Sequence, residues 1–140
     1  MSERDIESAR RYGAIFENPF DLIAVLEAVR DAEGVIVDWR YVDANSNWVR
    51  AQGRPRDQLL GKTVGELMPG RAAELIPLYT RALGGSRPEQ YEERCAEMDR
   101  LISLFPIGRD CVVTSGVDIS ARIRSEAEVR RLLGVNRAER

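Results

Sequence analysis

The order in which hydrophobic patterning changes along this 140-residue chain constrains its fold more than any other feature. A stretch with helical spacing is followed by two strand-like runs, several short helical stretches, three more strand-like runs and a last helical stretch. Runs rich in β-branched and aromatic residues, bounded by turn residues, are typical of strands. The predicted strands cover residues 22–29, 35–44, 89–96, 100–106 and 111–117. Two strands, a helical crossover and three strands predict an α+β domain, in which short helices cover one face of a five-stranded antiparallel sheet flanked by N- and C-terminal helices.

Capping and turn residues divide the middle of the chain into short helices. Asn45 or Ser46 suits the start of a helix that ends before Gly53, and Thr63 suits the start of a helix over 64–68. A longer helix is predicted over 72–83, with a kink or a late start because Pro77 lies inside it. These helices form the crossover between the second and third strands.

Composition argues against most enzymes and metalloproteins. The chain has no histidine, the commonest general base and a frequent metal ligand, and its two cysteines are too few for a four-cysteine metal site. A net charge of −2 gives no case for nucleic-acid binding. No apolar run approaches the ~18 residues that a membrane span needs. We therefore expect a cytoplasmic, non-enzymatic domain without a bound metal. Both ends have helical patterns that run outward, so we expect a segment of a longer protein.

Several short motifs occur in the order and spacing of one known family. Residues 41–45 form a strand that ends in Asn45, Gly53 follows eight residues later, and Gly61-Lys62 follows after another eight. Near the end, Asp118-Ile119-Ser120 follows a β-branched run. Over residues 20–120 this set resembles a PAS domain, the sensory module of bacterial proteins such as sensor histidine kinases and diguanylate cyclases. The chain departs from the family pattern at Asn47, where alanine is common, and at Arg54, where an aromatic residue is frequent.

The resemblance implies a division into an N-terminal flanking helix (1–19), a sensory domain (20–119) and a C-terminal output helix (120–140). It also implies the strand order second, first, fifth, fourth, third. Cys95 and Cys111 then lie two strand spacings apart, about 9–10 Å, which is too far for a disulfide. Neither cysteine lies in the helical middle, where a flavin-adduct cysteine is needed, and haem ligation by histidine is excluded. No cofactor is expected, although the family's hollow sheet leaves room for an unknown organic ligand.

Aromatic residues supply most of the candidate ligand site, and the alternative for them is that they only fill the core. Asn45 is either a polar anchor for a ligand or a helix cap. The candidate ligand-binding residues are Trp39, Tyr41, Asn45, Trp48, Leu67, Met68, Tyr79, Ser103 and Phe105. The neighbouring carboxylates Glu92 and Glu93 are expected on a solvated surface.

Strand patterning changes to helical patterning at Asp118, Ile119 and Ser120, with no linker between them. We interpret these residues as the joint that transmits a signal to the last helix, the alternative being a cap without a signalling role. The apolar stripe that continues to Ile123 and Ala127 is a candidate dimer seam. In the N-terminal helix, Ile6, Ala9 and Phe16 are expected to pack across a two-fold dimer interface or onto the outer face of the sheet.

Three functions are compatible with the sequence. The leading hypothesis is a non-enzymatic module that binds a small ligand or a partner, forms a homodimer and signals to a C-terminal effector of the kinase or cyclase type. The second is a ligand-free dimerisation scaffold with a filled core. The third is a small isomerase or hydratase, for which Asp38, Asp43 and Glu66 are the candidate acid and base.

Overall fold

The computed structural model describes residues 2–85, 87–94 and 99–134. Its helices are α1 (Glu3–Phe16), α2 (Ser46–Gln52), α3 (Val64–Leu67), α4 (Ala72–Gly84) and α5 (Ser120–Leu132), with a 3₁₀ turn at Arg56–Gln58. Its strands are β1 (Leu22–Arg30), β2 (Ile36–Ala44), β3 (Glu89–Arg94), β4 (Asp99–Ile107) and β5 (Cys111–Asp118). The predicted sequence of elements is confirmed. Residues 95 and 96 of the predicted third strand lie outside the described residues.

The five strands form one antiparallel sheet in the order β2-β1-β5-β4-β3. This is the order that the family resemblance implies. The first and last strands of the chain's sheet region are therefore neighbours at its centre, and β2 and β3 form the edges. The backbone of the segment before α3 pairs with the β2 edge, since Tyr41 N donates to Lys62 O at 2.9 Å and Gly61 N donates to Tyr41 O at 2.7 Å.

The sheet has an inner face, covered by α2, α3 and α4, that carries the main core. Buried residues of this core include Leu26, Trp39, Leu59, Val64 and Leu104. A register shift between Val25 and Leu26 in the β1–β2 ladder lets Tyr41 and Ala44 of β2 both be buried, which strict alternation forbids. Apolar side chains of α2, α3 and α4 pack against this face and fix the positions of the helices.

Three helices begin at side-chain caps, and two of these caps, Asn45 and Thr63, are predicted from the sequence. Ser2 and Asp5 form a capping box at α1, Asn45 Oδ1 accepts from Trp48 N at α2, and Thr63 forms a capping box with Glu66 at α3. Gly53 ends α2 in the left-handed conformation, with φ of 72°. Of the two alternatives predicted for α4, a kink or a late start, the late start is wrong, because the helix begins at Ala72 and Pro77 lies inside it. The kink stays a prediction.

The outer face of the sheet is covered at one place by the end of α1. Phe16 is buried against Val25 and Val113, with Phe105 and Cys111 partly buried beside them. Burial of Phe16 is as predicted, whereas Ile6 is 41% exposed and Ala9 is exposed in this protomer. Packing of α1 onto the outer face is thus limited to its C-terminal end. The alternative dimer packing stays a prediction.

Candidate functional site

A cavity of about 230 Å³ lies between the inner face of the sheet and the helices. All five strands contribute to its wall, together with α2, α4 and the segment between α3 and α4. Its lining residues are Leu22, Tyr41, Trp48, Gln52, Met68, Arg71, Leu75, Tyr79, Tyr91, Glu93, Arg100, Ile102 and Thr114. The core is therefore not filled at this position.

One wall of the cavity is aromatic. The rings of Tyr41 and Trp48 lie 4.9 Å apart, and Tyr79 packs edge-on against Trp39 behind it at 6.3 Å. Burial is the main reason why the pKa of Tyr41 and of Tyr79 is raised. The Tyr91 phenol adds to the rise for both, and the Glu93 carboxylate adds to it for Tyr41. Burial is also the main reason why the pKa of Tyr91 is raised. The three phenols are consequently neutral near pH 7 and able to donate hydrogen bonds.

Another part of the cavity wall carries charge. Glu93 on β3 and Arg100 on β4 are direct cross-strand partners. Glu93 Oε1 accepts from Arg100 Nη1 at 3.2 Å, and Glu93 Oε2 accepts from Arg71 Nη1 at 2.8 Å. The Arg71 guanidinium also lies 5.9 Å from the centre of the Tyr91 ring. The carboxylate of Glu93 thus joins two arginines, so the expectation that Glu93 lies on a solvated surface is wrong.

Arg100 has one polar atom that is not satisfied. Its side chain is 18% exposed, but its Nε is buried and has no hydrogen-bond partner among the described residues. Buried polar groups in proteins are nearly always paired, so an unpaired guanidinium N–H beside a cavity indicates a place for an acceptor.

The structure brings together four of the nine candidate ligand-binding residues, namely Tyr41, Trp48, Met68 and Tyr79. Trp39 is fully buried behind them, and its Nε1 donates to Thr80 Oγ1 at 3.2 Å. Leu67 packs against the core and does not line the cavity.

Ser103 and Phe105 lie on the other side of the sheet. Ile102 and Leu104 of β4 face the inner core, so the residues that alternate with them face outward. Phe105 accordingly packs beside Phe16, and Ser103 Oγ accepts from Gln90 Nε2 at 3.0 Å. Neither side chain reaches the cavity.

Asn45 is fully buried, and both ends of its carboxamide are used within the protein. Its Oδ1 accepts from Ile23 N at 3.1 Å and Trp48 N at 2.9 Å. Its Nδ2 donates to Phe16 O at 2.7 Å and Asp21 O at 2.9 Å. Asn45 is a structural tie between α1, β1 and α2 and does not line the cavity.

Residues that the sequence reasoning did not select include Arg71, Tyr91, Glu93 and Arg100. The alternation of inward and outward side chains along β4 is the sequence pattern that could have identified Arg100 and Glu93. Extended backward from Ile102, it places Arg100 on the inner face, and cross-strand pairing then brings Glu93 to the same place. Arg71 had no such signal, because it lies before α4 in a turn.

The joint between β5 and α5 is tied to β4 as well as β5. Ile119 is buried, and its N donates to Asp99 O at 2.8 Å. Asp99 N donates to Ser120 Oγ at 2.9 Å, and Ser120 N donates to Asp118 Oδ1 at 2.8 Å. Hydrogen bonds from Ser120 hold the pKa of the Asp118 carboxyl below its usual value. Three adjacent residues therefore fix the start of α5.

The three carboxylates proposed for acid–base chemistry do not meet. Asp38 Oδ1 accepts from Trp39 N and Gly65 N, Asp43 Oδ1 accepts from Ala44 N, and Glu66 caps α3. None lines the cavity. The backbone and side chain of Thr63 lower the pKa of Glu66, the opposite of what a general acid needs.

Within the described residues, no group of three or more potential ligands is arranged to hold a metal ion. No helix in that part of the chain combines the length and apolar character needed to cross a membrane.

A five-stranded antiparallel sheet with this strand order and short helices on its inner face places the chain in a class of small α+β domains. The family model described as the PAS fold matches residues 28–123. The chain belongs to the PAS family, whose members are sensory domains of signalling proteins such as sensor kinases.

Solved structures show the same fold. The PAS domain of BvgS from Bordetella pertussis is 19% identical, with a TM-score of 0.61, 93% of this chain covered and 99% of that chain. The PAS domain of an HTR-like protein from Haloarcula marismortui is 23% identical, with a TM-score of 0.57 and coverage of 84% and 96%. A sensory box sensor histidine kinase from Vibrio cholerae is 14% identical, with a TM-score of 0.53 and coverage of 84% and 96%. No curated protein matches the sequence significantly.

Proposed function

We propose that this PAS domain senses a small ligand in the cavity and transmits the change through α5 to an effector. The observation that carries the proposal is the position of Arg100. Its side chain lines the cavity, while its backbone neighbours in the sheet are Glu93 on β3 and Asp118 on β5. The residue that meets a ligand is thereby next to the residues that start the output helix.

The route from the cavity to α5 is short: it passes from Arg100 to the adjacent Asp99, and from Asp99 through hydrogen bonds to the start of the helix. Asp99, the neighbour of Arg100 in β4, holds both Ile119 N and Ser120 Oγ. A ligand that shifts the Arg100 side chain acts on the β4 backbone one residue from this contact. A change of helix orientation at such a joint is a known type of switching transition.

The proposal includes a homodimer, a C-terminal effector of the kinase or cyclase type, and a cytoplasmic location. Apolar residues exposed on α5, among them Val129 (54%) and Leu132 (68%), support an association of this helix. Cys111 is a free thiol, as is usual in reducing compartments. The ligand-free scaffold is a weaker candidate, because the cavity is not filled.

The proposal contains neither a haem ligated by histidine nor a flavin adduct. The chain has no histidine, and Cys111 packs with the cluster on the outer face of the sheet, away from the cavity. Cys95 lies outside the described residues. A purified protein without a stoichiometric visible absorbance band is the expected result, and such a band contradicts this part of the proposal.

The test compares stimulated and unstimulated effector activity in the full-length protein. Asp118→Ala removes the acceptor for Ser120 N and should abolish the response while circular dichroism shows a folded domain. Asp57→Ala, which removes an exposed carboxylate from the 3₁₀ turn, is the matched control and should respond fully. A full response in Asp118→Ala shows that Asp118 is only a cap. A wild type that never responds supports the scaffold.

A further inference from the structure

We propose that the cavity selects a small organic carboxylate with an apolar body, whose carboxylate binds between Arg100 and Arg71. This inference rests on the proposed sensing function and specifies its ligand. The observations that carry it are the charge of the lining, the unpaired Nε of Arg100, the phenols in the cavity wall and the size of the cavity.

The described lining is positively charged by one unit, because Arg71 and Arg100 each carry one positive charge and Glu93 carries one negative charge. Glu93 uses one oxygen on each arginine. Half-buried charges are stabilised when they are paired and destabilise a site when they are not. Arg71 Nη2 also pairs with Glu74 Oε1 at 3.3 Å, but Glu74 is exposed and lies outside the lining. The excess positive charge beside the cavity therefore favours a carboxylate over a cation.

One edge of the Arg100 guanidinium is unpaired but has no surface open to the cavity, so a ligand reaches it only when the side chain turns. Nη1 binds Glu93, while Nε is buried and has no partner among the described residues. Carboxylates bind guanidinium groups with two parallel N–H donors, so the Nε edge of Arg100 is the natural place for one.

The remainder of the cavity suits an apolar body. Leu75, Ile102 and the Trp48 ring contribute apolar surface, and the neutral phenols of Tyr41 and Tyr79 add donors. An engineered apolar protein cavity of ~150 Å³ binds benzene. A cavity of about 230 Å³ thus has room for a ring of that size and a carboxylate.

The experiment measures calorimetric binding of two acids and their neutral amides to the 140-residue chain at pH 7.5. The probes are benzoate with benzamide and hexanoate with hexanamide, each pair having nearly the same shape. We expect at least one acid to bind tenfold or more tightly than its amide. Equal or tighter binding of the amides overturns the inference but leaves ligand sensing intact. Failure of all four probes overturns the inference, and sensing is then judged by the effector assay alone.

Variants separate recognition from a merely structural role. Arg100→Gln should weaken binding of the acid by about tenfold to a hundredfold, the usual effect of a lost charge-assisted hydrogen bond. Glu93→Gln should strengthen it, because the internal competitor for both arginines is removed. Arg122→Gln, which removes an arginine that is 56% exposed on α5, is the matched control and should bind like the wild type.

The opposite signs of the two variants keep the test decisive if Arg100→Gln is poorly folded. A structural role predicts that both substitutions weaken binding, since each breaks the same ion pair. Unchanged affinity in Arg100→Gln, or weaker binding in a folded Glu93→Gln, contradicts the inference.

Discussion

The inner side of the sheet is packed around Trp39 of β2 and hollow where Tyr41, Glu93 and Arg100 line the cavity. Around β2, Trp39, Leu59 and Val64 are enclosed by apolar neighbours and are at most 2% exposed. Around β3 and β4, Glu93 and Arg100 form an ion pair beside an open space. The packed half therefore contributes more to the stability of the fold than the hollow half. Substitutions in the two halves should differ accordingly.

Two tryptophans give the largest contrast. Trp39→Ala should lower the free energy of unfolding by about 3–5 kcal/mol, because a fully enclosed ring is lost. Trp48→Ala should lower the free energy of unfolding by a smaller amount, with a difference of about 1 kcal/mol or more, because one side of that ring already faces the cavity. Urea unfolding of both variants measures the difference. Equal losses mean that the two halves are packed alike.

Asn45 and Asn47 give the next contrast. Asn45→Ala should cost about 3 kcal/mol, because it leaves buried groups of α1, β1 and α2 without partners. Asn47 is half-buried and donates to Asn18 O and Asp21 O, so Asn47→Ala should cost about 1 kcal/mol. Thermal unfolding ranks the two variants, and a larger loss for Asn47→Ala contradicts the structural role of Asn45.

Alkaline pH tests the phenol wall of the cavity. The folded protein holds the pKa of Tyr41, Tyr79 and Tyr91 above the unfolded value of about 10. Their contribution to stability is then fully present below pH ~10 and is lost as the pH rises through the folded values. Urea unfolding at pH 7 and at pH ~10.5 should show this loss, and Tyr79→Phe should reduce it. A stability independent of pH over this window disproves the burial of the phenols.

The smallest effect is expected in the hollow half. Replacing the ion pair by apolar residues, in the double variant Glu93→Leu with Arg100→Met, should change stability by less than about 1 kcal/mol or raise it. The single substitution Glu93→Leu should be more destabilising, because it leaves the half-buried Arg100 without its carboxylate partner, whereas Arg71 keeps its ion pair with Glu74 in every variant. A double-mutant cycle in urea measures the coupling. A loss of several kcal/mol in the double variant makes the ion pair part of the structural core.

The packed half was predictable from the sequence to a large extent. Strand runs, the Asn45 and Thr63 caps and the turn at Gly53 follow from local rules, and those rules agree with the family's spacing. The site was less predictable. Glu93 and Arg100 were not selected because charged residues usually lie in solvent, and only the β3–β4 register shows that they face each other.

The sequence patterns also assigned to the cavity some polar and aromatic residues that lie elsewhere. Ser103 and Phe105 belong to a strand that borders the cavity, but their position in the alternation turns them to the outer face. Trp39 and Tyr41 both face the inner side of the sheet, as alternation predicts, but only Tyr41 reaches the cavity. Which inward residues border an empty space depends on the helices above them, and no pattern within one strand contains that information.

The attachment of α5 has a mechanical consequence. Bonds from Asp99 and Asp118 hold the helix at Ile119 and Ser120, and most of the residues beyond them are exposed. At 1.5 Å per residue, a helix of 13 residues is roughly 20 Å long. A tilt of about 5° at its attached end displaces the far end by nearly 2 Å, a distance comparable with the ~1–2 Å helix shifts that accompany switching at subunit interfaces. A small rotation beside Arg100 is thus amplified along α5, and a displacement of this size is what the proposed signalling role requires.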